Sequence, residues 1–241
     1  MKNLVEIINK SKHIVFLTGA GLSTASGIPD FRSSNGLYNS DYSYPPEEIL
    51  SRSFFDNNHE EFYKFYRDKM IYLDALPNDA HKAIAKLEKM GKRVTVVTQN
   101  IDGLHQAAGS SDVLELHGGI KNNYCMKCGC HYSLEDILDK PLVPRCSCGG
   151  IIKPDVVLYE ENLNMDVLER SLREISKCDT LIVCGTSLLV NPASSLVRYY
   201  RCNDFVIINL SKTPYDSYCD LLINEPVEVA LKFILGEEDA K

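Results

Sequence analysis

Six short runs, at residues 13–17, 93–98, 113–116, 155–159, 180–184 and 205–210, are rich in β-branched and apolar residues, most of them almost without interruption. A strand with one wet face alternates apolar and polar residues. A strand that does not alternate must be covered on both faces. Helical spacing fills the intervals at 4–10, 80–90, 167–176 and 193–200. Strands covered on both faces and joined through helices imply an α/β fold built on a doubly wound, parallel, Rossmann-like sheet. Two stretches break the rhythm. Residues 36–78 are rich in Tyr, Phe, Asn and charge, with helical spacing at Phe54, Phe62, Phe65 and Tyr66. Residues 118–152 are rich in Cys, Gly and Pro. The expected organisation is a discontinuous sheet domain (1–35, 79–117 and 153–241), a helical insertion (36–78) and a small zinc-ribbon domain (118–152).

A chain of 241 residues suits one domain carrying insertions. Its formal charge of −7 is spread along the sequence. That leaves no basic face, and direct nucleic-acid binding is not expected. No apolar run approaches the ~20 residues of a membrane span. The start, MKNLVEIINKSKH, lacks the apolar core of a signal peptide, so a cytoplasmic location is expected.

The first run leads into TGAGLSTASGIPDFR, residues 18–32. Gly19 and Gly21 allow close backbone approach at a strand end, and a helix starting beyond them would turn free N–H groups toward an anion. The third glycine, Gly27, comes three residues too late for the dinucleotide fingerprint G-x-G-x-x-G. A tight strand-to-helix turn is the alternative. Pro29 pushes Ile28 out of the α region, so 27–32 should form an ordered loop carrying Phe31 and Arg32 inward.

Other polar groups stand at strand ends, where open parallel sheets bind ligands. Gln99, Asn100 and Asp102 follow the second run, though Asn and Asp there could equally cap a helix. His117 follows the third, ahead of Gly118 and Gly119. Histidine titrates close to neutral pH and suits proton transfer, but a lone histidine can also be purely structural. Gly185, Thr186 and Ser187, with Val190 beyond, follow one late run. Asn209, Leu210 and Ser211 follow another. These suit a ribose and an adenine, or caps.

Five of the nine cysteines fall between Cys125 and Cys148. Cys125-x2-Cys128 and, after seventeen residues, Cys146-x-Cys148 form two knuckles among Gly and Pro. Two such pairs supply the four soft ligands of a closed structural zinc site. Cys130 is a fifth thiol that could stand in for Cys128, although the C-x2-C spacing fits a knuckle better.

The series Gly19, Ala20, Gly21, Ser23, Ser26, Gly27, Ile28, Pro29, Asp30, Phe31, Arg32, Ser33, Gly36, Leu37, Tyr38 resembles the signature of the sirtuin family of NAD-dependent protein-lysine deacylases. The resemblance extends from His13 to about Pro226. It implies that Gly19, Ala20, Gly21, Ser23, Asp30, Phe31, Arg32 and Tyr38 contact NAD, with Phe31 and Arg32 closing over the reactive ribose. In the TQNIDGLH segment, Gln99 and Asn100 would contact the nicotinamide ribose. Ile101 and Asp102 would meet the carboxamide, and His105 would be structural. His117, in the LHG segment, would be the general base, and 185–190 and 209–211 would bind the adenosine half. In IKPDVVLYEENL, an acyl-lysine peptide would add as a strand, flanked by Val156, Val157 and Leu158. Here the family pattern has Phe and Gly where this chain has Tyr159 and Glu160, which puts an acid beside the peptide groove and favours basic flanks.

The implied reaction consumes NAD and acyl-lysine and yields free lysine, nicotinamide and 2′-O-acyl-ADP-ribose. Mono-ADP-ribosyl transfer, a non-enzymatic NAD sensor and a nucleic-acid zinc ribbon are the alternatives. EFYKFYRDKM resembles the place where desuccinylating members carry Tyr-x-x-Arg. Tyr63 matches the Tyr and would reach the acyl group, but Tyr66 holds the Arg position and Arg67 comes one residue late. One residue is about a 100° turn of a helix, so Arg67 should point away. The plainer alternative has Tyr63 and Tyr66 as packing residues. Deacetylation is expected over desuccinylation.

Overall fold

The structure is a computed structural model and describes residues 3–31, 36, 42–201 and 203–236. Helix α1 (Leu4–Lys10) leads into strand β1 (His13–Thr18). Three short helices follow: α2 (Pro46–Ile49), α3 (Arg52–Asn57) and α4 (His59–Lys69). Next come α5 (Asp79–Lys89), β2 (Arg93–Thr98), α6 (Leu104–Ala107) and β3 (Val113–Glu115). A second module holds β4 (Gly118–Cys125), β5 (His131–Ser133), α7 (Leu134–Leu138) and β6 (Ile152–Val156). The chain closes with α8 (Met165–Lys177), β7 (Thr180–Cys184), β8 (Asp204–Ile208), β9 (Leu221–Ile223) and α9 (Val227–Ala230).

The main sheet has the order β3-β2-β1-β7-β8-β9, and every neighbouring pair is parallel. Both faces are buried by strict alternation. Ile14 and Phe16 of β1 pack with α1 and α5 through Ile7, Ile8, Ile84 and Leu87. Val15 and Leu17 pack on the other face with Ile175 of α8 and with Leu196 and Val197. This is why the strand sequences read as continuous apolar runs. The chain steps outward from β1 in one direction and from β7 in the other. The crevice beyond the C-terminal ends of β1 and β7 is therefore the topological switch point of the sheet.

Two expectations need correction. The 155–159 run is not a strand of the parallel sheet. β6 pairs antiparallel with β4 in a separate three-stranded sheet, order β5-β4-β6. Its apolar residues are satisfied there: Ile152, Val156 and Leu158 join a third core with Phe54, Phe62, Phe65 and Ile120. The 193–200 pattern forms a 3-10 helix at Ala193–Tyr199 rather than an α-helix. Strand β9 was not anticipated, because three residues carry too little pattern to read.

Tyr63 is also corrected. It is fully buried in the third core, and its hydroxyl donates to the Ile152 carbonyl. It faces packing, not substrate. Tyr66 stacks on Phe62 beside it. Arg67 points elsewhere, with its Nη2 donating to the carbonyls of Ile137 and Pro141, both at 2.9 Å.

Candidate active site

The turn after β1 lies directly on the turn after β7. Gly19 N–H donates to Cys184 C=O at 3.2 Å, and Gly21 N–H to Gly185 C=O at 2.8 Å. A Cβ on Gly19 would come within 2.7 Å of the Thr186 Cβ, and one on Gly21 within 2.9 Å of the Gly185 oxygen. Glycine is thus demanded by contact between two backbones. The expected phosphate-facing helix is absent. Two 3-10 turns, Ala20–Leu22 and Thr24–Ser26, take its place and end at Gly27 with φ +83°.

Ser23 stands where these two turns meet. It is buried between the turns, and its hydroxyl is committed to two neighbours. It donates to Asp102 Oδ2 at 2.7 Å and accepts from Asn100 Nδ2 at 3.0 Å. Asp102 Oδ1 accepts the Leu104 N–H at 2.9 Å, so this carboxylate also caps α6. Burial raises the Asp102 pKa, against the lowering effect of the Leu104 N–H, Ser23 and the Lys121 ammonium. Gln99 Nε2 donates to Thr186 Oγ1 at 3.0 Å and ties the β2 end to the β7 end.

His117 follows β3. Its Nδ1 lies 3.0 Å from the Gln99 carbonyl, which can only accept. Nδ1 therefore carries the hydrogen, and Nε2 keeps its lone pair. Burial lowers the His117 pKa, opposed by the Gln99 bond, and favours the neutral, basic form. Gly118 behind it has φ +69°, and a Cβ there would meet the Asp155 oxygen at 2.0 Å. That close crossing of β4 and β6 sets the histidine at the cleft wall.

A second chain of bonds behind the site was not anticipated. Thr18 Oγ1 donates to Thr98 Oγ1 at 2.8 Å, and Asn100 N–H donates to the same oxygen at 3.0 Å. His105 Nε2 lies 3.1 Å from Thr18 Oγ1 and packs edge-on against His81. No sequence motif joins 18, 81 and 105. Only their shared place at one end of adjacent elements does.

All the described candidates for NAD contact line one cleft of about 1540 Å³, as do His117, Val156, Val157 and Leu158. The floor is glycine backbone; the walls carry Ser23, Gln99, Thr186, Ser187, Asn209 and Ser211. Asn209 Nδ2 donates to the Ser211 carbonyl at 2.7 Å. The backbone floor and the hydroxyl and amide groups of the walls fit a pyrophosphate with two riboses. Arg32 and Tyr38 lie outside the described residues. Lys121, Glu225 and Glu228 also line the cleft but carried no motif that could have flagged them.

In the small module, the Cys125, Cys128, Cys146 and Cys148 sulfurs all lie within 4.8 Å of one another. Sγ of Cys125 and Cys148 are 3.5 Å apart, and those of Cys128 and Cys146 are 3.6 Å apart. A tetrahedral zinc with bonds of about 2.3 Å sets its sulfurs about 3.8 Å apart, so the group fits. Cys130 is outside it; its carbonyl accepts the Cys125 N–H.

The fold and cleft define a dinucleotide-binding α/β protein with a four-thiol module set beside the switch point. The chain belongs to the Sir2 family, whose model matches residues 19–192. It is 55% identical over 98% of its length to an NAD-dependent protein deacetylase of Clostridium tetani (strain Massachusetts / E88), covering 97% of that protein. It is 42% identical to one of Staphylococcus aureus (strain NCTC 8325 / PS 47), covering 98% of both chains. Among solved structures, a Sir2 with p53 peptide and NAD+ matches at TM-score 0.86 and 40% identity. A Sir2 bound to acetylated peptide matches at 0.87 and 39%. Each alignment covers 98% of both chains.

Proposed function

We propose that this protein is an NAD-dependent protein-lysine deacetylase. NAD is a co-substrate: nicotinamide leaves, and the acetyl group passes from lysine to the ribose to give 2′-O-acetyl-ADP-ribose. The observation that carries the reading is His117. It is a half-buried imidazole held toward its neutral form, with Nδ1 pinned to Gln99 and Nε2 without a partner among the described residues, in the same cleft as the glycine floor. His117 takes the proton from the attacking ribose hydroxyl. Asn100 and Asp102, locked together through Ser23, orient the ribose and carboxamide. Gly19, Ala20 and Gly21 receive the pyrophosphate, and the walls at 185–190 and 209–211 receive the adenosine half. Val156, Val157 and Leu158 flank the acyl-lysine.

Cys125, Cys128, Cys146 and Cys148 hold one zinc that fixes the small module. In this reading the substrates are acyl-lysine proteins, and a cytoplasmic setting agrees with four paired reduced thiols. Acetyl is favoured over succinyl because Arg67 is committed to carbonyls of the zinc module.

The test is nicotinamide release with and without acetyl-lysine peptide. Release that requires the peptide, with stoichiometric acetyl-ADP-ribose, supports the reading. Release without peptide points to ADP-ribosyl transfer or glycohydrolysis, and NAD binding without release to a sensor.

A further inference from the structure

Residues 158–163 form the cleft wall on which the peptide strand lies in a deacetylase, and the role inferred for Glu160 rests on that function. Glu160 stands where the sirtuin pattern has glycine, and it takes φ +74°. A side chain with a Cβ is sterically disfavoured there. The surroundings hold it in place. Glu160 Oε2 accepts the Ser53 N–H at 2.9 Å, and Oε1 accepts the Ser53 hydroxyl at 3.0 Å. One residue earlier, Tyr159 N–H donates to Leu50 C=O and Arg52 N–H to Tyr159 C=O, both at 2.9 Å. One residue later, Glu161 Oε1 accepts from Arg52 at 3.0 Å. Its Oε2 takes the fully buried Lys153 ammonium at 3.0 Å and the Leu158 N–H at 2.8 Å.

The outer edge of this segment is thus consumed by residues 50–53. The backbone N–H and C=O of Glu160 have no hydrogen-bond partner among the described residues. Glu161 N–H donates to Leu158 C=O at 3.0 Å and closes a turn in which Glu160 holds the left-handed position, beside the cleft that it lines.

We propose that Glu160 is a positioning residue for the peptide substrate: its carboxylate, bound to Ser53, fixes the 158–163 edge in the shape that receives the acyl-lysine strand. Both carboxylate oxygens are engaged by Ser53, and the group is exposed, so solvent screens its charge. Glu160 therefore does not select basic flanks, although the sequence suggests that it would.

The test compares Glu160→Gly, Glu160→Gln and Ser53→Ala by peptide KM, peptide Kd, kcat and NAD KM. Glycine tolerates φ +74°, so Glu160→Gly keeps the fold but frees the edge. Peptide KM and Kd should rise about tenfold, the scale of a lost charge-assisted hydrogen bond, with kcat and NAD KM unchanged. Ser53→Ala should raise KM less, and should add nothing in the Glu160→Gly background. Glu160→Gln keeps acceptor geometry toward Ser53 N–H and should bind basic- and neutral-flanked peptides as the wild type does. An unchanged peptide KM in Glu160→Gly overturns the proposal. So does a basic-flank preference that Glu160→Gln abolishes. Wild type with no peptide-dependent nicotinamide release would instead overturn the functional reading itself.

Discussion

The buried pair His81 and His105 should make this protein acid-sensitive. Their rings sit 4.8 Å apart, centroid to centroid, behind the cleft. Neither nitrogen of His81 has a hydrogen-bond partner among the described residues, and no carboxylate offsets its burial. Burial pushes its pKa down to about 4 and, with the neighbouring His81, that of His105 to about 3. Above pH ~6.5 both are neutral whether the chain is folded or not, and they contribute no pH dependence. Below it the unfolded chain takes up protons that the folded chain refuses. Stability is therefore lost as pH falls from about 6.5 toward the folded values. Between pH 7 and 5 each histidine should cost roughly 2 kcal/mol, and the pair roughly 4, against a total of about 5–15 for a domain. The measurement is urea unfolding of wild type and His81→Leu at both pH values. Comparing the two cancels the titrating groups that do not interact with His81. Leu fills the same volume with no unpaired polar atom, so it should be neutral or mildly stabilising at pH 7. It should also lose roughly 2 kcal/mol less than wild type on going to pH 5. Equal losses would refute the reasoning, because they would mean that His81 is solvated or paired in the folded protein.

His117→Ala should lower deacetylation by about 10²–10⁴-fold with NAD affinity retained, and a variant with wild-type kcat would remove the histidine from its role. One zinc per chain is expected by metal analysis. Cys146→Ala should lose it and much of the fold, since structural zinc can contribute roughly 10–16 kcal/mol to a small module. Cys130→Ala should keep it, and loss of metal there would overturn the ligand set. On matched peptides, kcat/KM should favour acetyl- over succinyl-lysine. Arg67→Met should loosen the seat of α7 without changing that ratio; a succinyl preference lost in Arg67→Met would place the guanidinium in the acyl site.

What could be read from the chain depended on how local each signal is. The parallel sheet was legible because burial on both faces of β1, β2, β7 and β8 writes itself into consecutive residues. The four-thiol cluster was legible because two knuckles need only short-range spacing. The 155–159 run misled for the complementary reason: an apolar run says that a strand is covered, not which sheet it joins. β6 found its partner across the cysteine module. Helical spacing correctly put Tyr63 and Tyr66 on one face and Arg67 on another, yet could not say what that face meets. It meets Ile152 and the third core, so Tyr63 lost its proposed contact with substrate. Ser23 shows the deepest limit. Its hydroxyl joins residues 23, 100 and 102, a link across strand ends that exists only once β1 and β2 lie side by side. The 3-10 turns that replace the expected helix agree with that link. Ser23 stands where the two turns meet, so its hydroxyl reaches Asp102 and Asn100 together, a contact that no single motif of the chain announces.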